Sequence, residues 1–90
     1  MLAAGEIMID QGRIVGLTNK TGHYKAGPNE LAEALSLLEL IGGVNLGNVA
    51  VSDPFRTRGR FFRGDRALAA NGDLTTLTAA DEVPAPPPLP

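Results

Sequence analysis

The chain has 90 residues, 43% of them hydrophobic, and a formal net charge of −2, so it has room for one small core and none for two. With no cysteine and one histidine, it lacks the residues for a disulfide scaffold, a thiolate metal site or a structural zinc. The acidic balance argues against general nucleic-acid affinity, and no apolar run approaches the roughly 18 residues of a membrane span.

In chain order, Glu6 to Asp10 and Arg13 to Thr18 are short, apolar and rich in β-branched residues, and Gln11-Gly12 stands between them. This pattern predicts a β-hairpin in which Gly12 supplies a positive φ. Residues 19–27 are polar, with two glycines and no period, and predict a loop. Pro28 suits a first helical position, with Gly27 or Asn29 as cap and Glu30 in the first turn, where it complements the helix dipole. Over residues 28–41, Leu31, Leu35, Leu38 and Ile41 recur at helical spacing with Ala34 beside them and Leu37 and Leu40 widening the face. Gly42-Gly43 then predicts the stop. Turn residues follow, and 49–51 predict a short third strand closed by Asp53-Pro54. The expectation is a small α+β fold, a ββαβ unit over residues 1–53 that forms part of a larger domain.

Residues 54–83 have another texture. The first 53 residues carry three basic and six acidic groups, the rest five and four, and the five are Arg56, Arg58, Arg60, Arg63 and Arg66. Phe55, Phe61 and Phe62 interleave with them, and no helical or strand period is visible. The fold of this arm is therefore left open, beyond a weak strand expected over 74–78. Aromatic rings alternating with guanidinium groups suit single-stranded RNA. The plainer reading is that Arg56, Arg58, Arg60 and Arg63 dock on an acidic surface of the same chain or of a protein partner. Residues 84–90 are dominated by proline and predict an extended, disordered tail.

His23 lies in the loop that opens onto the helix, where unpaired N–H groups favour an anion. It is a candidate for binding phosphate or carboxylate, or else a structural latch bonding a backbone carbonyl. Tyr24 is likewise a candidate hydroxyl or a half-buried anchor. Lys20, Thr21, Gly22 and Lys25 are the polar loop groups within reach of a ligand, but the spacing of a P-loop is absent. Glu6, at the mouth of the first strand, is a candidate acid, base or electrostatic partner, or a solvated strand end.

Three pieces, Ala3-Ala4-Gly5-Glu6, Asp10-Gln11-Gly12-Arg13-Ile14 and Asn19-Lys20-Thr21-Gly22-His23-Tyr24, followed by Gly43-Val44-Asn45-Leu46, carry a resemblance. The stretch 3–53 resembles the C-terminal part of a domain found in bacterial effector and toxin-like proteins, and is also similar to the domain of plant IQ-motif calmodulin-binding proteins. Thr21 stands where that pattern has Ser, and Ala26 where it has Pro. The resemblance implies an effector-type, ADP-ribosyltransferase-like activity with NAD as cofactor. It also implies Glu6 as the catalytic carboxylate and His23 and Tyr24 as catalytic residues ordering the pocket, beside which Asn19, Lys20, Thr21, Gly22 and Lys25 of the polar loop are the candidate ligand-binding residues. It further implies a missing upstream segment and a secreted effector as part of a larger protein, whereas the absence of an apolar span and of a basic N-terminal region predicts a cytoplasmic chain. The competing expectation is a noncatalytic module that binds a protein partner.

Overall fold

The computed structural model describes residues 6–18 and 27–86. The first hairpin forms where the β-branched runs predict it: strand β1 (Glu6–Asp10) pairs antiparallel with β2 (Arg13–Thr18). Gln11 and Gly12 both take positive φ, 52° and 77°, the combination that matches a two-residue turn to the twist of its strands. The register shifts between Met8 and Ile9, so that Ile9 faces Ile14 while Met8 faces Gly16. Val15 is therefore an extra residue, a bulge. Ile14 and Leu17 are three apart, which is no strand period, and the bulge lets both turn toward the core.

Helix α1 (Pro28–Leu40) starts at Gly27, whose N-cap position makes no side-chain cap hydrogen bond, with Pro28 in the first turn as expected. Leu31, Ala34 and Leu35 are buried, and Leu38 is packed partly against the core. The apolar face is narrower than its spacing implied, because Leu40 and Ile41 are each 79% exposed. In the last turn only the inner side, with Leu38, reaches the core, and Leu40 and Ile41 are left on the open side. The chain then turns at Gly43, and the Val44 N–H donates to the Leu38 carbonyl at 3.1 Å.

A single 3-10 turn (Leu46–Asn48) leads into β3 (Ala50–Ser52), which pairs in parallel with β2. Parallel neighbours need a crossover, and α1 supplies it. The expected α+β architecture is thus present, with the third strand one residue later than the pattern placed it.

The stretch that the sequence left open completes the sheet. Strand β4 (Phe61–Arg63) pairs antiparallel with β3, and β5 (Glu82–Val83) with β4, giving five strands in the order β1-β2-β3-β4-β5. Between β4 and β5 lie helix α2 (Gly64–Ala69) and two 3-10 turns, Leu74–Thr76 and Ala79–Asp81. The strand expected over 74–78 is not there. The Asp73 side chain accepts from the Thr75 N–H at 3.2 Å and winds the segment into a 3-10 turn instead. Phe62, Ala67 and Leu74 from this stretch are buried in the same core as Leu17, Leu31, Leu35 and Val51.

Pro84, Ala85 and Pro86 continue beyond β5 without helix or strand. A Cβ on Gly16 would stand 2.9 Å from Pro86 Cγ, so the first residues of the proline-rich segment pack on the back of the sheet. The remainder of the expected tail, 87–90, lies outside the described residues.

Candidate functional site

Strand directions decide what meets at each end of the sheet. β2 and β3 finish side by side at Thr18 and Ser52, while β1 begins at Glu6 and β4 at Phe61. One row of paired residues therefore crosses the sheet: Glu6, Thr18, Ser52, Phe61 and Val83. Two connections leave from this end, the loop 19–26 toward α1 and the turn 53–60 toward β4. The N-terminus of α1 returns to the same end because α1 must run back along the sheet to start β3.

Of the described candidate residues, Glu6, Arg56, Arg58 and Arg60 lie at this end. Glu6 occupies the row position opposite Thr18, one residue before the loop that carries Asn19, Lys20, Thr21, Gly22, His23, Tyr24 and Lys25. Those seven residues, with Ala3, Ala4 and Gly5 of the first motif, lie outside the described residues. Arg56 and Arg58 belong to the turn at this end, and Arg60 leads into β4. Arg63 is placed apart from them, since it pairs with Ala50 at the opposite end.

The polar groups of the site end are unusually buried for strand ends: Thr18, Ser52, Asp53 and Thr57 are each less than a tenth exposed. Asp53 explains the turn. Its carboxylate accepts from the Phe55 N–H at 3.1 Å, the Arg56 N–H at 3.2 Å and the Arg56 guanidinium at 2.9 Å. Thr57 Oγ1 donates to the Asp53 carbonyl at 3.0 Å. Asp53→Ala removes one acceptor from two backbone donors at once and should cost on the order of 2 to 3 kcal/mol, whereas Asp53→Asn keeps an oxygen for them and should cost less. Urea denaturation of the two variants checks this, and equal losses would show that the acceptor is not what holds the turn.

Ser52 is the exception. Its hydroxyl is buried and has no hydrogen-bond partner among the described residues, a condition that costs roughly 1 to 3 kcal/mol where water is also excluded. Ser52→Ala should accordingly leave the melting temperature unchanged or raise it by a few degrees. A clear fall would mean that the hydroxyl does bond in solution.

The arginines are largely engaged within the chain. Arg56 pairs with buried Asp53 at 2.9 Å, Arg60 with Glu82 at 3.3 Å, Arg63 with Asp65 at 2.8 Å and Arg66 with Asp81 at 3.2 Å. Arg60 also lies over the Phe62 ring, 5.2 Å from its centroid. Arg60 and Arg66 thereby tie the return through Ala79–Asp81 and β5 to the body of the protein. Of the four arginines proposed as partner contacts, Arg58 makes no ion pair or hydrogen bond with another described residue. It sits at the tip of the turn with φ 48°, beside Gly59 at φ 82°. Of the interleaved rings, Phe62 is fully buried and Phe55 is 39% exposed. A row of open rings for stacking bases is therefore not formed, and same-chain docking accounts for most of the arginine run.

Comparison of the chain with protein-family models, with curated proteins and with solved structures finds no match. Among the described residues no helix is long and apolar enough to cross a membrane. Sequence reasoning missed Ser52, Asp53 and Thr57 as members of this end. Asp53-Pro54 was visible only as a strand stop, and nothing local in the sequence tells a stop from a buried carboxylate that builds the next turn.

Proposed function

We propose that the chain is the C-terminal part of an effector- or toxin-type domain with an ADP-ribosyltransferase-like site. Glu6 is its catalytic carboxylate, His23 and Tyr24 order the pocket, and Asn19, Lys20, Thr21, Gly22 and Lys25 contact the ligand, NAD. One observation supports this reading: the hairpin register sets Glu6 across from Thr18, at the root of the loop bearing the other candidates. Positions twelve apart in sequence thus become neighbours, as a carboxylate and its binding loop must be. A carboxylate held there stabilises positive charge as it develops on a sugar ring losing its base, the electrostatic contribution that a fixed anion makes to such a transition state.

Titration of NAD into the chain, followed by the NMR resonances of His23 and Tyr24, tests the binding step. A nicotinamide-release assay on the same samples tests the chemistry. Saturable shifts in both rings are expected, with release abolished by Glu6→Gln and binding retained. Rings that do not respond to millimolar NAD, together with no release, overturn the enzyme reading. They would leave the second one, a noncatalytic module binding a protein partner, which Arg58 favours as an exposed cation with no ion-pair partner among the described residues.

A further inference from the structure

The two edges of the sheet are finished differently. β5 is two residues long and runs directly into Pro84, and a short strand ended by proline is a familiar way to deny an edge to other chains. β1 has five residues and no proline, and among the described residues no strand pairs with its outer side. Ile7 and Ile9 are respectively 44% and 51% exposed. They stand opposite Leu17 and Ile14, which face the core, so both belong to the α1 side of the sheet.

That side opens at the hairpin tip into a groove of about 440 Å³, lined by Gly12, Arg13 and Ile14 and by Gly42, Val44 and Asn48 beyond α1. Exposed Leu40 and Ile41 immediately precede its far wall. The groove begins just past the end of β1, across the hairpin turn at Gly12.

Charge narrows what fits. Residues 6–18 and 27–41 contain Glu6, Asp10, Glu30, Glu33 and Glu39 against a single base, Arg13. The last turn of α1 carries no basic residue to offset the negative end of its dipole. A second copy is a poor occupant. Antiparallel pairing of β1 with itself about Met8 sets Glu6 against Asp10 twice, and parallel pairing sets each acid against its own image, both unfavourable between facing strands.

We propose that β1 is a docking edge for an extended segment of a partner protein in which apolar and basic residues alternate. The segment adds as a sixth strand, its apolar side chains covering Ile7 and Ile9 on the α1 side and its cations meeting Asp10 on the other face. This surface lies along the strand rather than at the loop end, and the inference holds whether or not the chain is a transferase.

A fluorescent peptide alternating lysine and valine, and its glutamate-valine counterpart, test it against the full-length chain by anisotropy. The lysine peptide should bind saturably and more weakly as salt rises, the glutamate peptide not at all. Ile9→Lys and Asp10→Lys, both at exposed positions, should each weaken binding at least about tenfold with the circular dichroism and melting curves retained. Equal binding of the two peptides, no binding of the lysine peptide, or affinity unchanged in both variants overturns the proposal. A dimer of the chain alone that Ile9→Lys dissociates in sedimentation also overturns it, and assigns the edge to a second copy.

Discussion

Leu35→Ala is expected to cost roughly 2 to 5 kcal/mol, a large share of the stability of a protein of this size, which is on the order of 5 to 10 kcal/mol in total. Leu35 is fully buried in the middle of α1, in the same core cluster as Leu17 and Val51 of the sheet and Phe62 of β4. Its removal leaves a void under the only long helix of the described residues. A small domain shifts its melting temperature by about 4 to 8 °C per kcal/mol, so thermal denaturation should show a drop of at least about ten degrees or no cooperative transition. A melting curve unchanged by the substitution would remove Leu35 from the core and with it the orientation of α1. Leu40→Ala, at a 79% exposed position in the same sequence stripe, is the control and should change stability little.

Gly72→Ala is expected to be nearly as damaging for a different reason. Gly72 follows α2 with φ 80°, a conformation that an L side chain adopts only under strain. A Cβ built there would overlap the Pro28 carbonyl group and reach 3.0 Å from the Ala32 N–H. The obstacle is backbone of the first turns of α1 and cannot swing aside, so the turn and the helix must separate. Strain and overlap together should cost on the order of 4 kcal/mol. Gly12→Ala separates the two effects, because Gly12 has a similar φ of 77° with nothing within 4 Å of the added Cβ, and about 1 kcal/mol is expected from conformation alone. Equal losses at the two positions in chemical denaturation would show that the approach of Gly72 to α1 is not tight in solution.

The Gly72 contact also explains how the arginine-rich stretch becomes part of the fold. The turn after α2 is held by the Gly72 N–H donating to the Ala67 carbonyl at 2.9 Å and the Asn71 N–H to the Leu68 carbonyl at 2.9 Å. It delivers Leu74 into the core and sets the chain against the start of α1. Asn71-Gly72-Asp73 is legible as a turn from its residue types. What it packs against is not.

Local chemistry carried the first half of the protein into view. Gln11-Gly12 between two β-branched runs, Pro28 at a helix start, leucines at helical spacing and a double glycine at the stop each act within a few residues, and each produced the element it predicts. The candidate site was legible only in its parts, Glu6 and the loop at 19–26. The pairing of Glu6 with Thr18, the residue before that loop, depends on the bulge at Val15, since an unbroken two-residue hairpin would set Glu6 across from Leu17. That extra residue follows from the need to bury both Ile14 and Leu17, a demand made by the core and not by the turn.

The second half shows where sequence stops deciding. Phe61–Arg63 and Glu82–Val83 are too short to display a period, and their strand conformation comes from ladder partners supplied by β3 and β4, in the case of β5 about twenty residues away. The same holds for charge: the sequence shows five arginines in a cluster, while only the folded chain brings Glu82 and Asp81 to Arg60 and Arg66. The sequence by itself determined the hairpin, the long helix and the third strand, because their signals are short-range. Tertiary structure alone decided the two further strands, the exposure of Leu40 and Ile41, the partners of the arginines and the row that joins Glu6 to Ser52, because each depends on which distant backbone lies alongside.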